Sequence, residues 1–182
     1  MIILLLGAPG AGKGTQAELL ARSLKLKHLA TGDMLRAEVK AGTELGKLAE
    51  SYMSRGDLVP DDVVIRMIES KLKAADARNG ALLDGFPRTT AQAEALDTGL
   101  ARSGLRVDRA IYLAVSEEEL VRRMLGRGRA DDTPEAIRRR LVVYRAQTEP
   151  VIDYYKGKGR FTEVPGEGAV EDIQKRLARA AS

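Results

Sequence analysis

Gly7-Ala8-Pro9-Gly10-Ala11-Gly12-Lys13-Gly14-Thr15 follows at once on the apolar run Ile2-Ile3-Leu4-Leu5-Leu6. Five large side chains, two of them β-branched, running straight into a glycine read as a buried strand. The spacing Gly7-x4-Gly12-Lys13 fits a phosphate-binding loop. In such a loop glycines let successive backbone N–H groups turn inward on a polyphosphate, and the lysine reaches its outer phosphates. Ala17, Leu20, Ala21 and Leu24 then fall at i, i+3, i+4 and i+7. The chain after Gly14 is therefore expected to wind as a helix with one apolar stripe, its positive dipole end aimed at the loop. A glycine turn of purely structural purpose would need neither the lysine nor the strand and helix on either side. The one departure is Gly14, where the generic pattern has Ser or Thr; the hydroxyl arrives one residue later, at Thr15.

The bulk properties narrow the classes. A chain of 182 residues is expected to form one domain, residues 1–182, with room for appendages but no second core. Cysteine is absent, which removes disulfides and thiolate metal sites, zinc among them. The first apolar run is too short for a signal peptide and no later stretch approaches a membrane span, so the expectation is a cytoplasmic protein without a membrane partner. Lys and Arg number 30 against 26 acidic residues, yet the excess is local. Arg122, Arg123, Arg127, Arg129, Arg138, Arg139, Arg140 and Arg145 crowd into one stretch, while aromatic residues make up only 4% of the chain. Planar guanidinium groups suit a compact polyphosphate. A nucleic-acid groove would add stacking aromatics, so no nucleic-acid partner is expected.

Five short apolar runs, at Ile2 to Leu6, His28 to Ala30, Ala81 to Leu83, Ala110 to Leu113 and Phe161 to Val164, alternate with helical patterns. Helices between consecutive strands imply right-handed crossovers and an α/β architecture of three layers, a five-stranded parallel sheet covered on both faces. Ligands then collect at the carboxyl ends of the strands. Leu45, Leu48, Ala49, Tyr52 and Met53 make one apolar stripe, and Val64, Met67, Ile68 and Leu72 another. Both lie between the second and third strands, a connection longer than one crossover needs. Residues 30–59 are accordingly read as a helical insert standing over the sheet edge. Ser116-x-x-Glu119 reads as a capping box, and Thr133-Pro134 as a helix start. Between them, 126–132 has glycine and arginine but no apolar anchor, which predicts a mobile turn. His28, the single histidine, lies outside every motif and is read as structural, as is the Tyr154-Tyr155 pair.

Four stretches together carry a resemblance: Gly7 to Thr15; Thr31-Gly32-Asp33-Met34-Leu35-Arg36; Asp84-Gly85-Phe86-Pro87-Arg88 followed by Gln92; and Gly128-Arg129-Ala130-Asp131-Asp132 before Arg140 and Tyr144. With these the chain resembles the adenylate kinases, nucleoside monophosphate kinases of the P-loop fold, almost from end to end. It is similar to their short form, since 126–132 stands where the long form has a larger lid. Gly14 before Thr15 is the form of the loop that this family uses. The resemblance implies reversible, Mg²⁺-dependent transfer of the terminal phosphoryl group of ATP to AMP, giving two ADP, by a monomer.

By the same resemblance Gly10, Ala11, Gly12, Lys13, Gly14 and Thr15 hold the ATP phosphates, Arg123 and Arg127 reach ATP, and Gly168 passes near its base. AMP is expected at Thr31, Arg36, Asp57, Leu58, Val59, Gly85, Phe86, Pro87, Arg88 and Gln92, with Arg129 and Arg140 bridging to its phosphate. Lys13, Arg88, Arg127, Arg129 and Arg140 are the catalytic set, and Asp84 orders Mg²⁺, more through water than by direct ligation. No general base is required, because the acceptor is an already ionised phosphate oxygen; the chemistry reduces to positioning and charge neutralisation. A UMP/CMP kinase of the same build is the near alternative, although such relatives tend to differ at the positions of Thr31 and Gln92. A nucleotide-dependent switch is the alternative from another class, and it would have no need of the acceptor motifs.

Overall fold

The protein's computed structural model describes residues 1–73, 77 and 79–182. Strand β1 (Ile2–Leu6) has every residue buried, and its alternate side chains supply two different cores. Ile2, Leu4 and Leu6 join one apolar cluster; Ile3 and Leu5 join the other. That division is the period-two geometry of a strand buried on both faces. Strands β2 (Lys27–Ala30), β3 (Ala81–Asp84), β4 (Arg109–Ala114) and β5 (Phe161–Pro165) complete a parallel sheet in the order β2-β3-β1-β4-β5. The expected five-stranded parallel sheet is therefore present, each strand within a residue of its expected bounds.

Central β1 lies between β3 and β4, with Leu5 opposite Asp84 and Leu6 opposite Tyr112. The chain thus leaves β1 where the connections turn toward opposite edges of the sheet, the place where open α/β sheets gather ligands. Helix α1 (Lys13–Leu24) begins there. Its apolar stripe packs Ala17, Leu20 and Ala21 into the second core, and its first turn has no acidic residue to blunt the dipole. Gly10 and Gly12 both hold φ +88. At Gly10 a Cβ would also stand 2.7 Å from the Leu120 carbonyl oxygen, so the loop needs glycine there both for its turn and for close approach.

Edge strand β2 runs directly into α2 (Thr31–Ala41), followed by α3 (Glu44–Met53) and α4 (Asp61–Leu72). Helices α2 and α3 form an antiparallel pair beyond that edge, where the 30–59 insert was expected. Leu48 is a correction: at 40% exposure it faces solvent, while Gly46 and Ala49 turn inward. Gly46 decides this rotation, since a Cβ there would lie 2.1 Å from the Glu38 carbonyl oxygen. After β3 come α5 (Thr90–Arg102) and, beyond β4, α6 (Glu117–Gly126) and α7 (Pro134–Val143). A π-helical turn (Tyr144–Thr148) joins α7 to α8 (Glu149–Lys156), and α9 (Val170–Ala181) closes the second core with Ile173 and Leu177.

The capping box at α6 is a second correction. The Ser116 backbone N–H donates to Glu167 Oε1 at 2.8 Å, and Glu119 is drawn away by Arg122 and Arg123 at 2.6 Å each. Bonds to two guanidinium groups, in which both partners are charged, outweigh one bond to an uncharged backbone N–H. Thr133 does cap α7, accepting the Ala136 N–H at 3.2 Å.

Gly46→Ala is expected to destabilise the protein by about 1–3 kcal/mol through forced separation of α2 and α3. Urea unfolding would measure it, and an unchanged midpoint would show that the two helices do not meet there.

Candidate functional site

The carboxyl ends of β1, β2 and β3 open into a cleft of about 560 Å³. The phosphate loop and α1 form its floor. The α2–α3 insert walls one side, and the turn between α6 and α7 overhangs the other. All of the sequence-derived candidates line this cleft except four. Thr31 and Gln92 line a water-sized cavity of about 30 Å³ that continues it inward past Leu35, Leu58, Val59, Gly85 and Arg88. Ala11 is buried within the loop. Gly168 is not on the wall of either space.

Lys13, the first residue of α1, folds back over the loop: its Nζ donates to the Gly7 carbonyl at 2.8 Å and to that of Ala8 at 2.9 Å. Burial pulls its ammonium down to about 8; Asp84 pushes the other way, and Arg88, Arg127 and Arg129 pull it down further. Arg88 is likewise lowered by burial, opposed by Asp84 and reinforced by Arg36, Arg140 and Arg129. It is braced by its Nε, which donates to the Gly85 carbonyl at 2.8 Å. Altogether seven cationic side chains line the cleft against four carboxylates. Such an excess on low-dielectric walls concentrates anions.

Local structure explains how each arginine is aimed. Arg123, one turn before the end of α6, is held by Glu119 and donates to the Ala11 and Gly166 carbonyls at 3.0 and 3.1 Å, lying across the loop. Arg127 and Arg140 share Asp132, whose side chain is only 2% exposed, with contacts between 2.5 and 2.8 Å; Arg140 also takes Asp131. The 126–132 turn lacks an apolar anchor, as its composition indicates, but it has an ionic one. Arg36 pairs with Asp33, which also stands 3.9 Å from Arg129. Asp57, on the cleft wall, pairs with Arg139 of α7, 2.7 Å off, tying the insert to the helix that follows the overhang.

Thr31 opens α2 with a buried hydroxyl that donates to the Gly85 carbonyl at 2.7 Å. Gln92 is buried too, accepting the Arg88 N–H through Oε1 and donating to Asp61 through Nε2. His28 Nε2 is buried without a hydrogen-bond partner, 3.7 Å from Asp84 Oδ2. Sequence reading missed Asp61, Glu119 and Asp132 as parts of the site. Asp132 sat within a quoted motif, Glu119 had been given to a helix cap, and Asp61 carried only the signal of a helix start. Tyr144 and Thr148 reach the cleft wall through the π-helical turn, an irregularity no periodicity announces.

Among the described residues no three His, Asp or Glu side chains gather as a metal cluster. A divalent ion here would rest on Asp84 and Thr15 and complete its shell with water and ligand phosphates, the way Mg²⁺ is commonly held. Asp84 Oδ2 would lie 3.7 Å from a Cβ at residue 14, so the glycine keeps the space beside the carboxylate open. The residues present fit such an ion.

A loop that binds polyphosphate on one side, and arginines converging from the overhang and the insert on the other, make the fold that of a P-loop nucleotide kinase. Comparison with known proteins gives the particular family. The adenylate kinase family model matches residues 5–160. The adenylate kinase of Stenotrophomonas maltophilia is 50% identical over 99% of this chain and 98% of its own length. That of Corynebacterium urealyticum is 52% identical over 96% of both chains, and that of Thermobifida fusca 48% over 99% and 97%. The chain belongs to the adenylate kinase family, and it is a phosphotransferase whose acceptor is a phosphate group. No helix among the described residues is long and apolar enough to cross a membrane.

Asp132 links stability to pH. Burial raises its carboxyl, but the hydrogen bonds and charges of Arg127 and Arg140 prevail and hold it below the ordinary range. Its contribution is therefore present above the unfolded value of about 4 and disappears as pH falls through the folded one. Asp132→Ala is expected to lose about 1–3 kcal/mol near neutral pH, discounted for the partly exposed arginines. The difference from the unaltered protein should shrink in urea titrations as pH falls below the ordinary carboxylate range.

Proposed function

We propose that the chain catalyses ATP + AMP ⇌ 2 ADP as a cytoplasmic monomer, with donor and acceptor meeting across this cleft. The observation that carries the reading is the convergence of Lys13, Arg88, Arg127, Arg129 and Arg140 on one space between the loop and the insert. ATP takes the loop side: the backbone from Gly10 to Thr15 and the α1 N-terminus receive its phosphates, and Arg123 and Arg127 close over it. Gly168 is assigned to the donor side on resemblance alone. AMP takes the insert side, with its phosphate on Arg36, Arg88, Arg129 and Arg140 and its base toward Thr31, Val59 and Gln92. Asp57 and Leu58 join through their backbone, since the Asp57 side chain is engaged by Arg139.

Phosphoryl transfer then needs no proton acceptor. The ionised AMP oxygen attacks the γ-phosphorus in line, and the ADP oxygen leaves as charge spreads over the transferring group. Lys13 gives up its loop carbonyls for those oxygens, and the arginines neutralise both sides. Asp84 and Thr15 would hold a Mg²⁺ ion through its waters, and such an ion would neutralise charge on the ATP phosphates. Closure of the 126–132 lid and the 30–59 insert excludes water, the competing nucleophile.

The direct test is conversion of ADP to equal amounts of ATP and AMP, together with initial rates on AMP, CMP, UMP and GMP; a preference for CMP or UMP would overturn the assignment of the acceptor. Lys13→Ala is expected to lower turnover about a hundredfold or more. Its folding should not suffer. A lysine lowered in the folded state opposes folding below its folded pKa, and this relents only as pH rises through that value. Chemical unfolding at neutral pH should therefore show equal or greater stability for the variant.

Phosphate binding requires the ammonium form of Lys13, so ATP affinity should fall above pH 8 or so, toward tenfold per pH unit. Calorimetry in buffers of different ionisation enthalpy should register proton uptake there that is absent in Lys13→Met. Uptake that persists in Lys13→Met would assign it to another group.

A further inference from the structure

Both ends of the buried Gln92 amide are occupied. Oε1 accepts the Arg88 backbone N–H at 2.7 Å, and Nε2 donates to Asp61 Oδ1 at 2.7 Å. The other Asp61 oxygen accepts the Thr89 hydroxyl at 3.0 Å, and Thr89 Oγ1 accepts the Gln92 backbone N–H at 3.1 Å. Asp61 belongs to a different element, the first residue of α4 after the insert.

A carboxamide has nearly the same shape whichever way round it sits, so its neighbours decide which end is oxygen. A carboxylate only accepts hydrogen bonds and a backbone N–H only donates. With Asp61 at one end and Arg88 at the other, the amide has one orientation. It retains one spare N–H and one spare lone pair, and Gln92 lines the inner cavity beside Thr31, Leu35 and Val64. An N–H next to a carbonyl matches the edge of a 6-aminopurine, where a ring-nitrogen acceptor adjoins an amino donor. A 6-oxopurine reverses that order and would suit the flipped amide.

We propose that Asp61 is a positioning residue for acceptor-base choice. Its carboxylate fixes the Gln92 amide in the orientation complementary to a 6-aminopurine and mismatched to a 6-oxopurine. This rests on the reading that Gln92 meets the acceptor base. Asp61 itself does not contact substrate; it acts through Gln92, and Thr89 holds its second oxygen.

The test compares kcat/KM for AMP and for IMP at saturating ATP in Asp61→Asn, Asp61→Ala and Gln92→Ala. In Asp61→Asn, where residue 61 can pair with either end of Gln92 and only the Arg88 N–H still orients the amide, the AMP-to-IMP ratio is expected to fall up to about tenfold, mostly through KM for AMP, with KM for ATP unchanged. Asp61→Ala should fall in the same direction. The ratio does not depend on the folded fraction, so partial loss of folding leaves the readout intact. If Gln92→Ala collapses the ratio and neither Asp61 variant does, the proposal is overturned while the base contact stands. If all three leave it unmoved, the base contact is overturned and the proposal with it.

Discussion

An excess of positive charge in one cleft is the constraint around which this protein is organised. Seven cationic side chains share one cleft, and burial together with mutual repulsion lowers both Lys13 and Arg88. Carbonyls and carboxylates occupy them. Lys13 rests on Gly7 and Ala8, Arg123 on Ala11 and Gly166, Arg127 and Arg140 on Asp132. These contacts keep the guanidinium planes extended into the cleft. In the proposed cycle a polyphosphate enters a cleft already lined by these cations and takes the place of the carbonyls and carboxylates that hold them.

The same ion pairs join pieces that are separate in sequence. Asp132 braces the overhang internally through Arg127 and fastens it to α7 through Arg140, and Asp57 fastens the insert to α7 through Arg139. The overhang and the insert are thereby connected through one helix. Their anchors are charged and partly wet rather than apolar, an arrangement that can open and re-form without exposing core. The sheet beneath has the opposite character: β1 is buried along its whole length and serves two apolar clusters.

Much of this was legible in the chain. The run Ile2 to Leu6 before a glycine-rich loop, and the helical spacing of Ala17, Leu20 and Ala21 after it, are local patterns that geometry turns into strand, loop and helix with little help from the rest of the fold. Departures arose where one local signal met a stronger competing contact. Glu119 has the spacing of a capping residue but lies beside two arginines. Leu48 has the spacing of a buried residue, but Gly46 must face α2.

The sequence by itself determined the parallel sheet, the phosphate loop and the motifs of the family, because strand and helix periodicity, glycine spacing and contiguous signatures are properties of neighbouring residues. Only the tertiary structure decided which carboxylate holds which arginine, that Asp57 faces α7, and that Asp61 sets the Gln92 amide. The Asp61–Gln92 and Asp57–Arg139 contacts join residues 31 and 82 positions apart. Their energy depends on distance and orientation across elements, which no pattern along the chain encodes.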